Sequence, residues 1–236
     1  MTNVGDQIEA GNANWSFSGE TSQHFDQHIK KSIPLYETAH ELGISISDFF
    51  LSDGSICYDL GCSTGTLLSR LAKHHENKRV QFIGIDRETD MVNYAQNICK
   101  GFPNIEIRCE DLINLELEKA DLIIAYYTMQ FIKPKYRQVL FNRIYESLNW
   151  GGGFLLFEKV RSPDARFQDM MTTLYTDYKL EQGYSGDEII AKKRSLKGVL
   201  EPFSRVGNLG LLERAGFVDI TTVMKYICFE GFLAIK

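Results

Sequence analysis

The feature that most constrains this chain is an alternation between short apolar segments and longer segments whose apolar residues recur at helical spacing. The short segments have the length of strands, and the longer ones have one apolar face, as amphipathic helices do. Five strands are predicted in this way, at residues 56–60, 80–85, 105–107, 121–126 and 154–157. Helices are predicted at residues 66–75, 88–100 and 134–148. Strands that alternate with helices indicate βαβ crossovers and therefore a parallel sheet.

Both ends of the chain and one internal segment depart from this alternation. Residues 1–50 include a helical segment from about Phe25 to Gly43 and are expected to form a lid over the carboxyl edge of the sheet. Residues 163–204 are predicted to be a helical insertion that caps the same edge. A last helix and a closing hairpin are predicted at residues 209–215, 217–223 and 226–235.

These elements fit one domain. A chain of 236 residues is long enough for a single large α/β core. We therefore predict one domain over residues 1–236, with an α/β Rossmann-like fold and a mostly parallel seven-stranded sheet that ends in an antiparallel closing strand. Only the polar first dozen residues are candidates for disorder.

Charge and cysteine content exclude several classes of partner. The net charge is −5, which disfavours direct binding of a nucleic acid through its phosphates. The five cysteines are odd in number and show no CxxC spacing, so no metal site is predicted and a reducing compartment is favoured. The N-terminus lacks the pattern of a secretory signal, and the longest apolar run is too short for a bilayer. We expect a cytoplasmic protein without a membrane partner.

The loop after the first predicted strand is the strongest candidate for a ligand site. In open α/β sheets, ligands bind at the carboxyl ends of the strands, beside the first strand. Gly61 and Gly65 would let the backbone of this loop approach a ligand closely. The helix that follows would direct its free N–H groups into the same crevice. A glycine turn between strand and helix is also a common structural device, so the loop alone is weak evidence.

Acidic residues at the next two strand ends make the prediction more specific. Asp86 ends the second strand, where a carboxylate accepts hydrogen bonds from both ribose hydroxyls of an adenosine. Glu110 and Asp111 follow the third strand and could meet the adenine amino group. The G-x-G-x-x-G spacing of dinucleotide sites is missing, which favours a mononucleoside ligand over NAD.

The residues from Tyr58 to Gly65, YDLGCSTG, resemble motif I of class I S-adenosylmethionine (SAM)-dependent methyltransferases. Segments over residues 15–236 are similar to the carboxy-S-adenosylmethionine synthase family, including YTMQFI at residues 127–132, GYS at 183–185 and AGF at 215–217. The resemblance implies the class I methyltransferase fold, SAM or carboxy-SAM as the cofactor, and a homodimer.

The resemblance also assigns residues to the site. It implies that Tyr36, Gly61, Asp86, Asp111 and Leu112 contact the nucleoside. The predicted cofactor-binding set is completed by Asp59, Cys62, Ser63, Gly65, Arg87 and Tyr126. Arg194 would meet the additional carboxylate of carboxy-SAM, because a guanidinium pairs with a carboxylate through two hydrogen bonds.

Three functions are open at this stage. The first is methyl transfer from SAM to a small-molecule acceptor, which depends mainly on placement and desolvation. The second is synthesis of carboxy-SAM from SAM and prephenate, for use by a partner enzyme on the wobble uridine of tRNA. The third is a SAM-binding module without catalysis.

Two departures and a set of catalytic candidates bear on this choice. Tyr126 stands where the family usually has asparagine, and the opening of the chain also differs, which favours a sister branch that transfers methyl groups. The catalytic candidates are Arg194, Tyr126 and His28, and a general base, if one is needed, could also be His24 or Glu158.

Overall fold

The computed structural model describes residues 2–236, and the side chains of residues 20 and 23 are left undescribed. Nine strands form in the described chain. They are β1 (Thr2–Asn3), β2 (Glu9–Ala10), β3 (Ile56–Leu60), β4 (Gln81–Asp86), β5 (Ile105–Cys109), β6 (Ala120–Tyr126), β7 (Leu148–Lys159), β8 (Asp219–Tyr226) and β9 (Phe229–Ile235). Eight α-helices accompany them. They are α1 (Glu20–Ser32), α2 (Tyr36–Ser47), α3 (Thr66–His74), α4 (Thr89–Cys99), α5 (Pro134–Ser147), α6 (Ala165–Glu181), α7 (Gly186–Ser195) and α8 (Arg205–Ala215).

The main sheet confirms the predicted fold class. It has seven strands in the order β5-β4-β3-β6-β7-β9-β8. The neighbours from β5 to β7 pair in parallel, and β9 is antiparallel to both β7 and β8. The chain winds outward from β3 to β5 and then returns to the other side of β3 at β6. This reversal opens a crevice at the carboxyl ends of β3 and β6.

The sheet is buried on both faces, which explains the nearly continuous apolar strands. One face packs on α5 and α8, and the other packs on α2 and α3. Alternate residues of β3 divide between the two cores, with Tyr58 and Leu60 on the first face and Cys57 on the second. This period of two is the pattern expected of a strand.

Two predicted boundaries are wrong in an informative way. The single N-terminal helical segment is two helices, because Leu35 after Pro34 adopts a left-handed conformation with φ 57° and starts α2. The glycine run at residues 151–153 was expected to end α5 before a four-residue strand, but β7 already begins at Leu148. Those glycines lie inside the strand, and Gly152 and Gly153 are buried there.

Residues 2–12 are ordered, which corrects the expectation that this segment is the candidate for disorder. The hairpin of β1 and β2 buries Val4 and Ile8 against α7 and the segment after it, together with Trp15. Asp6 in the turn accepts hydrogen bonds from Lys31 Nζ at 2.6 Å and His28 Nδ1 at 2.8 Å. The insertion therefore holds the start of the chain in place.

None of the helices among residues 2–236 has both the length and the apolar character that a bilayer crossing requires.

We expect Phe141→Ala to lower the free energy of unfolding by about 3–5 kcal/mol, because it leaves a cavity in the core. Phe141 on α5 is fully buried and packs edge-on against Phe154, with ring centroids 5.6 Å apart. Urea denaturation measures the loss. Val139 on the same helix is 57 % exposed, and Val139→Ala should change stability by less than about 0.5 kcal/mol. Equal losses in the two variants would contradict the packing described for α5.

Candidate active site

A large cavity lies where the topology predicts it, at the carboxyl ends of β3, β4, β5 and β6. It encloses about 1110 Å³ of space free of protein atoms, its open mouth included. That is the scale of a pocket for a cofactor-sized ligand. The strand ends form its floor, and the N-terminal segment covers it. Ten of the eleven residues predicted to bind the cofactor, together with Glu110, line this cavity. The ten are Tyr36, Asp59, Gly61, Cys62, Ser63, Asp86, Arg87, Asp111, Leu112 and Tyr126.

Gly65 is the one member of the predicted cofactor-binding set that does not line the cavity. Gly65 precedes α3 with φ 76°. A Cβ on it would lie 3.1 Å from Cα of Ala95 and 3.0 Å from Sγ of Cys99. Its lack of a side chain lets α3 pack closely on α4. The structure therefore gives Gly65 a role in packing between helices, and its predicted approach to the ligand stays a prediction.

Hydrogen bonds to β4 shape the glycine loop. The N–H groups of Gly61 and Cys62 both donate to the carbonyl of Ile85, at 2.7 and 3.0 Å. The N–H of Ser63 donates to a carboxylate oxygen of Asp86 at 2.9 Å. Gly61 has φ 80°, and a Cβ there would come within 2.4 Å of the Thr128 side chain. Only glycine fits this position, so the loop stays low against the sheet and leaves the cavity above it open.

The carboxylate of Asp86 organises the loop as well as facing the cavity. Its second oxygen accepts the N–H of Glu88 at 2.9 Å, and its burial raises the pKa of Asp86 above the usual range. A carboxylate has about four acceptor sites, so both oxygens keep capacity for a ligand. Asp111 is arranged in a similar way, with one oxygen that accepts the N–H of Ile113 at 2.9 Å. Each acid is thus held in place by backbone donors of its own turn.

Asp59 is the acid of the cavity whose pKa departs most from its usual value. Its side chain is 1 % exposed, and its Oδ1 has no hydrogen-bond partner among the described residues. Burial, reinforced by the charge of Asp86, raises the pKa of Asp59 to about 7. A buried carboxylate without a partner is costly, and a cationic group of a ligand beside it would remove that cost. Two observations fit a cationic nucleoside such as SAM. They are the unpartnered Oδ1 of Asp59 and the open space above the glycine loop.

Aromatic side chains from the lid and from β6 form one wall. The Tyr126 hydroxyl donates to the backbone carbonyl of Tyr36 at 2.7 Å, and the two rings are 5.1 Å apart. His40 packs against both rings at 4.6 Å. Burial raises the pKa of Tyr126 and lowers that of His40 to about 4. Tyr126 is therefore a neutral hydroxyl that fastens the lid, which argues against its predicted use as a base.

The other two catalytic candidates lie outside the cavity. His28 is buried within the lid, on α1, between Asp6 and Lys192, whose Nζ is 3.0 Å from His28 Nε2. Burial, followed by the charge of Lys192, lowers the pKa of His28 to about 4. Arg194 is exposed on the last turn of α7 and does not line the cavity. Neither His28 nor Arg194 lines the cavity of its own chain, so their catalytic roles stay predictions that this arrangement does not support.

The remaining base candidates are also absent from the cavity lining. Neither His24 nor Glu158 lines it. Glu158 lies fully buried at the end of β7, where burial raises its pKa to about 8 in spite of the nearby Arg137. No residue of the insertion at 163–204 lines the cavity either. The insertion packs on the outer side of the lid instead, for example through a hydrogen bond of 2.8 Å from the Tyr175 hydroxyl to the carbonyl of Ser32.

Several cavity residues carry no signal in the sequence. Phe17 packs edge-on against Phe131 at 4.9 Å and near Phe25 at 6.2 Å, and together these three rings cover the mouth. Tyr127 adopts φ 58°, which is unusual for a bulky residue, and its side chain turns away from β6 onto Phe229. Ring contacts between segments more than 100 residues apart depend on the fold, so no local pattern predicts them.

Comparisons with known proteins agree with this geometry. Residues 57–152 match a family model described as a methyltransferase domain. The chain is 37% identical to the carboxy-S-adenosyl-L-methionine synthase of Staphylococcus epidermidis, over 94% of this chain and 97% of that protein. It is also 37% identical to the protein of the same name from Nautilia profundicola, over 94% of each chain.

Solved structures show the same fold at low identity. Human N-acetylserotonin methyltransferase in complex with SAM superimposes with a TM-score of 0.63 at 20% identity, over 93% of this chain and 56% of that one. An O-methyltransferase family protein from Burkholderia thailandensis gives 0.64 at 15% identity, over 92% and 59% of the two chains. These likenesses establish the architecture alone.

We expect Asp59→Asn to stabilise the ligand-free protein increasingly as the pH rises. The pKa of Asp59 is about 7 when folded and 3.8 in its reference state, so its contribution to stability is present at low pH and is lost as the pH rises through 7. Between pH 5 and pH 8 the variant should gain about 3 kcal/mol over the wild type. Urea denaturation at the two pH values measures this gain. A constant difference between the two proteins would show that Asp59 does not titrate as described.

One family assignment follows from these findings. It rests on the fold, on the cavity above the glycine loop and on the extent of the sequence similarity. The two carboxy-SAM synthases match nearly the whole chain, including the lid and the insertion as well as the methyltransferase domain. The chain therefore belongs to the carboxy-S-adenosyl-L-methionine synthase family, whose members are SAM-dependent transferases with the class I methyltransferase fold and take SAM or carboxy-SAM as their cofactor.

Proposed function

We propose that this protein makes carboxy-SAM by replacing one hydrogen of the SAM methyl group with a carboxyl group drawn from prephenate. The bond between the prephenate ring and its carboxyl group breaks as the new carbon–carbon bond forms at the methyl carbon. The ring hydroxyl leaves with the methyl proton as water, and prephenate becomes an aromatic keto acid. The observation that carries this proposal is the 37% identity to a carboxy-SAM synthase over 94% of the chain. A shared nucleoside site alone would give similarity over the methyltransferase domain only. The match extends through the lid and the insertion, which are the parts that distinguish one SAM-dependent enzyme from another.

The charges of the cavity suit this ligand. SAM carries a sulfonium and an ammonium, and five acids line the cavity: Asp59, Asp86, Glu88, Glu110 and Asp111. In the proposed arrangement Asp86 accepts from the ribose hydroxyls and Asp111 faces the adenine. Asp59, with its unpartnered oxygen, would accept from the ammonium. The faces of Tyr36 and Tyr126 would attract the sulfonium, as aromatic rings attract cations.

Arg194 remains the proposed partner of the additional carboxylate, a role that the family resemblance implies. Because Arg194 is exposed on α7 and does not line the cavity of its own chain, this role requires either a movement of α7 or a second copy of the chain. The homodimer implied by the resemblance would supply the second copy. We keep the homodimer and the cytoplasmic location as part of this proposal.

Methyl transfer to a small acceptor is the second candidate function. It is favoured by Tyr126, which fills the place of the family's usual asparagine and is bonded to the lid at the carbonyl of Tyr36. Because Tyr126 lines the cavity, a tyrosine in place of asparagine changes the cavity wall itself. A tyrosine there narrows the space beside the nucleoside, and that change could alter which group is transferred.

Mass spectrometry of the ligand that copurifies with the protein separates the two functions. Carboxy-SAM in the protein, and its formation when SAM and prephenate are supplied, would support the proposed synthesis. Plain SAM or its demethylated product, with no consumption of prephenate, would reject carboxy-SAM synthesis. Bound SAM without group transfer to any acceptor would instead indicate a binding module.

We expect Asp86→Ala to weaken SAM binding by about 1.5–3 kcal/mol, the contribution of a hydrogen bond to a charged group. Isothermal titration calorimetry measures the change. Asp86→Asn is the informative companion, because the amide keeps one acceptor for the loop while it removes the charge. Asp219→Ala alters an exposed acid on the edge strand β8 and should leave the affinity unchanged. Wild-type affinity in both Asp86 variants would remove this residue from the site.

We expect Arg194→Ala to weaken carboxy-SAM binding by tenfold or more, roughly the 1.5–3 kcal/mol of a charge-assisted hydrogen bond, while SAM binding stays nearly constant. The selectivity follows because only carboxy-SAM offers the second carboxylate. Calorimetry with both ligands tests it. The neighbouring Lys193 is also exposed on α7, and Lys193→Ala serves as the matched control. If neither ligand responds to Arg194→Ala, this arginine has no part in ligand recognition.

A further inference from the structure

Three potential metal ligands meet on the side of the molecule where α2 and α3 end. Asp48 follows the last residue of α2, His74 is the last residue of α3, and His75 follows it. One ligand atom from each lies within 4.8 Å of the others. His74 Nε2 is 2.9 Å from Asp48 Oδ2, and His75 Nδ1 is 3.9 Å from Asp48 Oδ1. Asp48 and His74 are accessible to solvent, whereas the His75 side chain is 1 % exposed.

The hydrogen bonds around His75 determine which of its nitrogens carries the proton. The Ser47 hydroxyl donates its hydrogen to the carbonyl of Ile44 at 2.6 Å, so its oxygen must accept from His75 Nε2, 2.7 Å away. Nε2 therefore bears the proton, and Nδ1 presents a lone pair.

This assignment leaves two acceptors facing each other. His75 Nδ1 is buried and has no hydrogen-bond partner in the described chain, and Asp48 Oδ1 lies opposite it at 3.9 Å. A lone pair aimed at a carboxylate oxygen is unfavourable unless a cation or a donor lies between them. The site also lies at the carboxyl ends of two helices, where the negative end of each macrodipole favours a cation.

We infer that Asp48, His74 and His75 form a binding site for one divalent cation of the zinc class, which also includes Co²⁺ and Ni²⁺. Two imidazole nitrogens and a carboxylate oxygen are ligands that such ions prefer, and water completes the shell. Ser47 holds the His75 ring through its other nitrogen, as is usual for a histidine that binds a metal. The bound ion would tie the end of α2 to the end of α3.

The predicted role is structural. Tyr36 and His40 on α2 line the ligand cavity, and α3 begins directly after the glycine loop. The metal site lies at the opposite end of both helices. An ion there would fix the pairing of α2 with α3 and so stiffen one wall of the cavity from outside it. The five cysteines carry no metal signature, and two adjacent histidines with an aspartate 26 residues earlier match no familiar metal spacing, so the sequence does not suggest this site.

Lys78 competes with an ion at this site. Its Nζ is 3.6 Å from Asp48 Oδ1 and donates to the carbonyl of Leu51 at 2.9 Å. The ammonium partly neutralises the carboxylate that an ion would need. Removal of this charge should therefore strengthen metal binding, which an adventitious surface site elsewhere on the chain would not show.

The test titrates the full-length protein with Co²⁺ and records the visible absorption of the bound ion, followed by calorimetry with Zn²⁺. We expect one equivalent to bind, with a rise in the thermal midpoint. His74→Gln and Asp48→Asn each remove one ligand at an exposed side chain, and each should weaken binding by about tenfold or more. Lys78→Met should strengthen binding by about fivefold or more.

Matched controls remove the other accessible ligands. His24→Gln alters a histidine of α1, and Cys109→Ser alters the exposed cysteine of β5, and both variants should bind like the wild type. Binding that survives in both His74→Gln and Asp48→Asn would overturn the inference. So would loss of binding in Cys109→Ser, a lack of response to Lys78→Met, or the absence of any bound equivalent in the wild type.

Discussion

The site depends on the hydrogen bonds that the glycine loop makes with the end of β4. Two N–H groups of the loop share the carbonyl of Ile85, and a third is held by the carboxylate of Asp86. These bonds satisfy backbone donors that would otherwise point into the cavity without partners. They also keep the loop low, so that the space above it stays free. Asp86 lies at this same strand end and also lines the cavity. One residue therefore both holds the loop and is available to a ligand.

The lid is attached to this same loop. Asp26 of α1 accepts hydrogen bonds from the hydroxyls of Thr64 and Thr66, at 2.7 and 3.0 Å, where α3 begins. On the other side, the Tyr126 hydroxyl fastens the start of α2. The lid is therefore anchored to two strand ends, β3 and β6, on the two sides of the crevice. Binding of a ligand in the cavity would therefore affect the hydrogen bonds of both Asp26 and Tyr126.

Much of this arrangement follows from the sequence, and the part that does not has physical reasons. Strand and helix periodicity predicts the sheet, and the order of Gly61, Asp86 and Asp111 at successive strand ends predicts the floor of the cavity. Their contact with SAM remains a prediction, although the structure brings them together. The packing of Gly65 against α4 could not be predicted, because a glycine beside a ligand and a glycine between helices look alike in a sequence. The positions of His28 and Arg194 depend on how the lid and the insertion pack, which no local pattern encodes.

The docking of the first residues on α7 has a consequence for how the molecule is assembled. Val4, Ile8 and Trp15 are buried against residues that follow almost 200 positions later, among them Leu196 and Val199. Contacts that distant in the chain form late, because a long loop must close before they can stabilise anything. During synthesis, the beginning of the polypeptide must wait until the segment around residue 199 has left the ribosome. These residues therefore take up their final packing only after strands β3 to β7 of the main sheet have been synthesised.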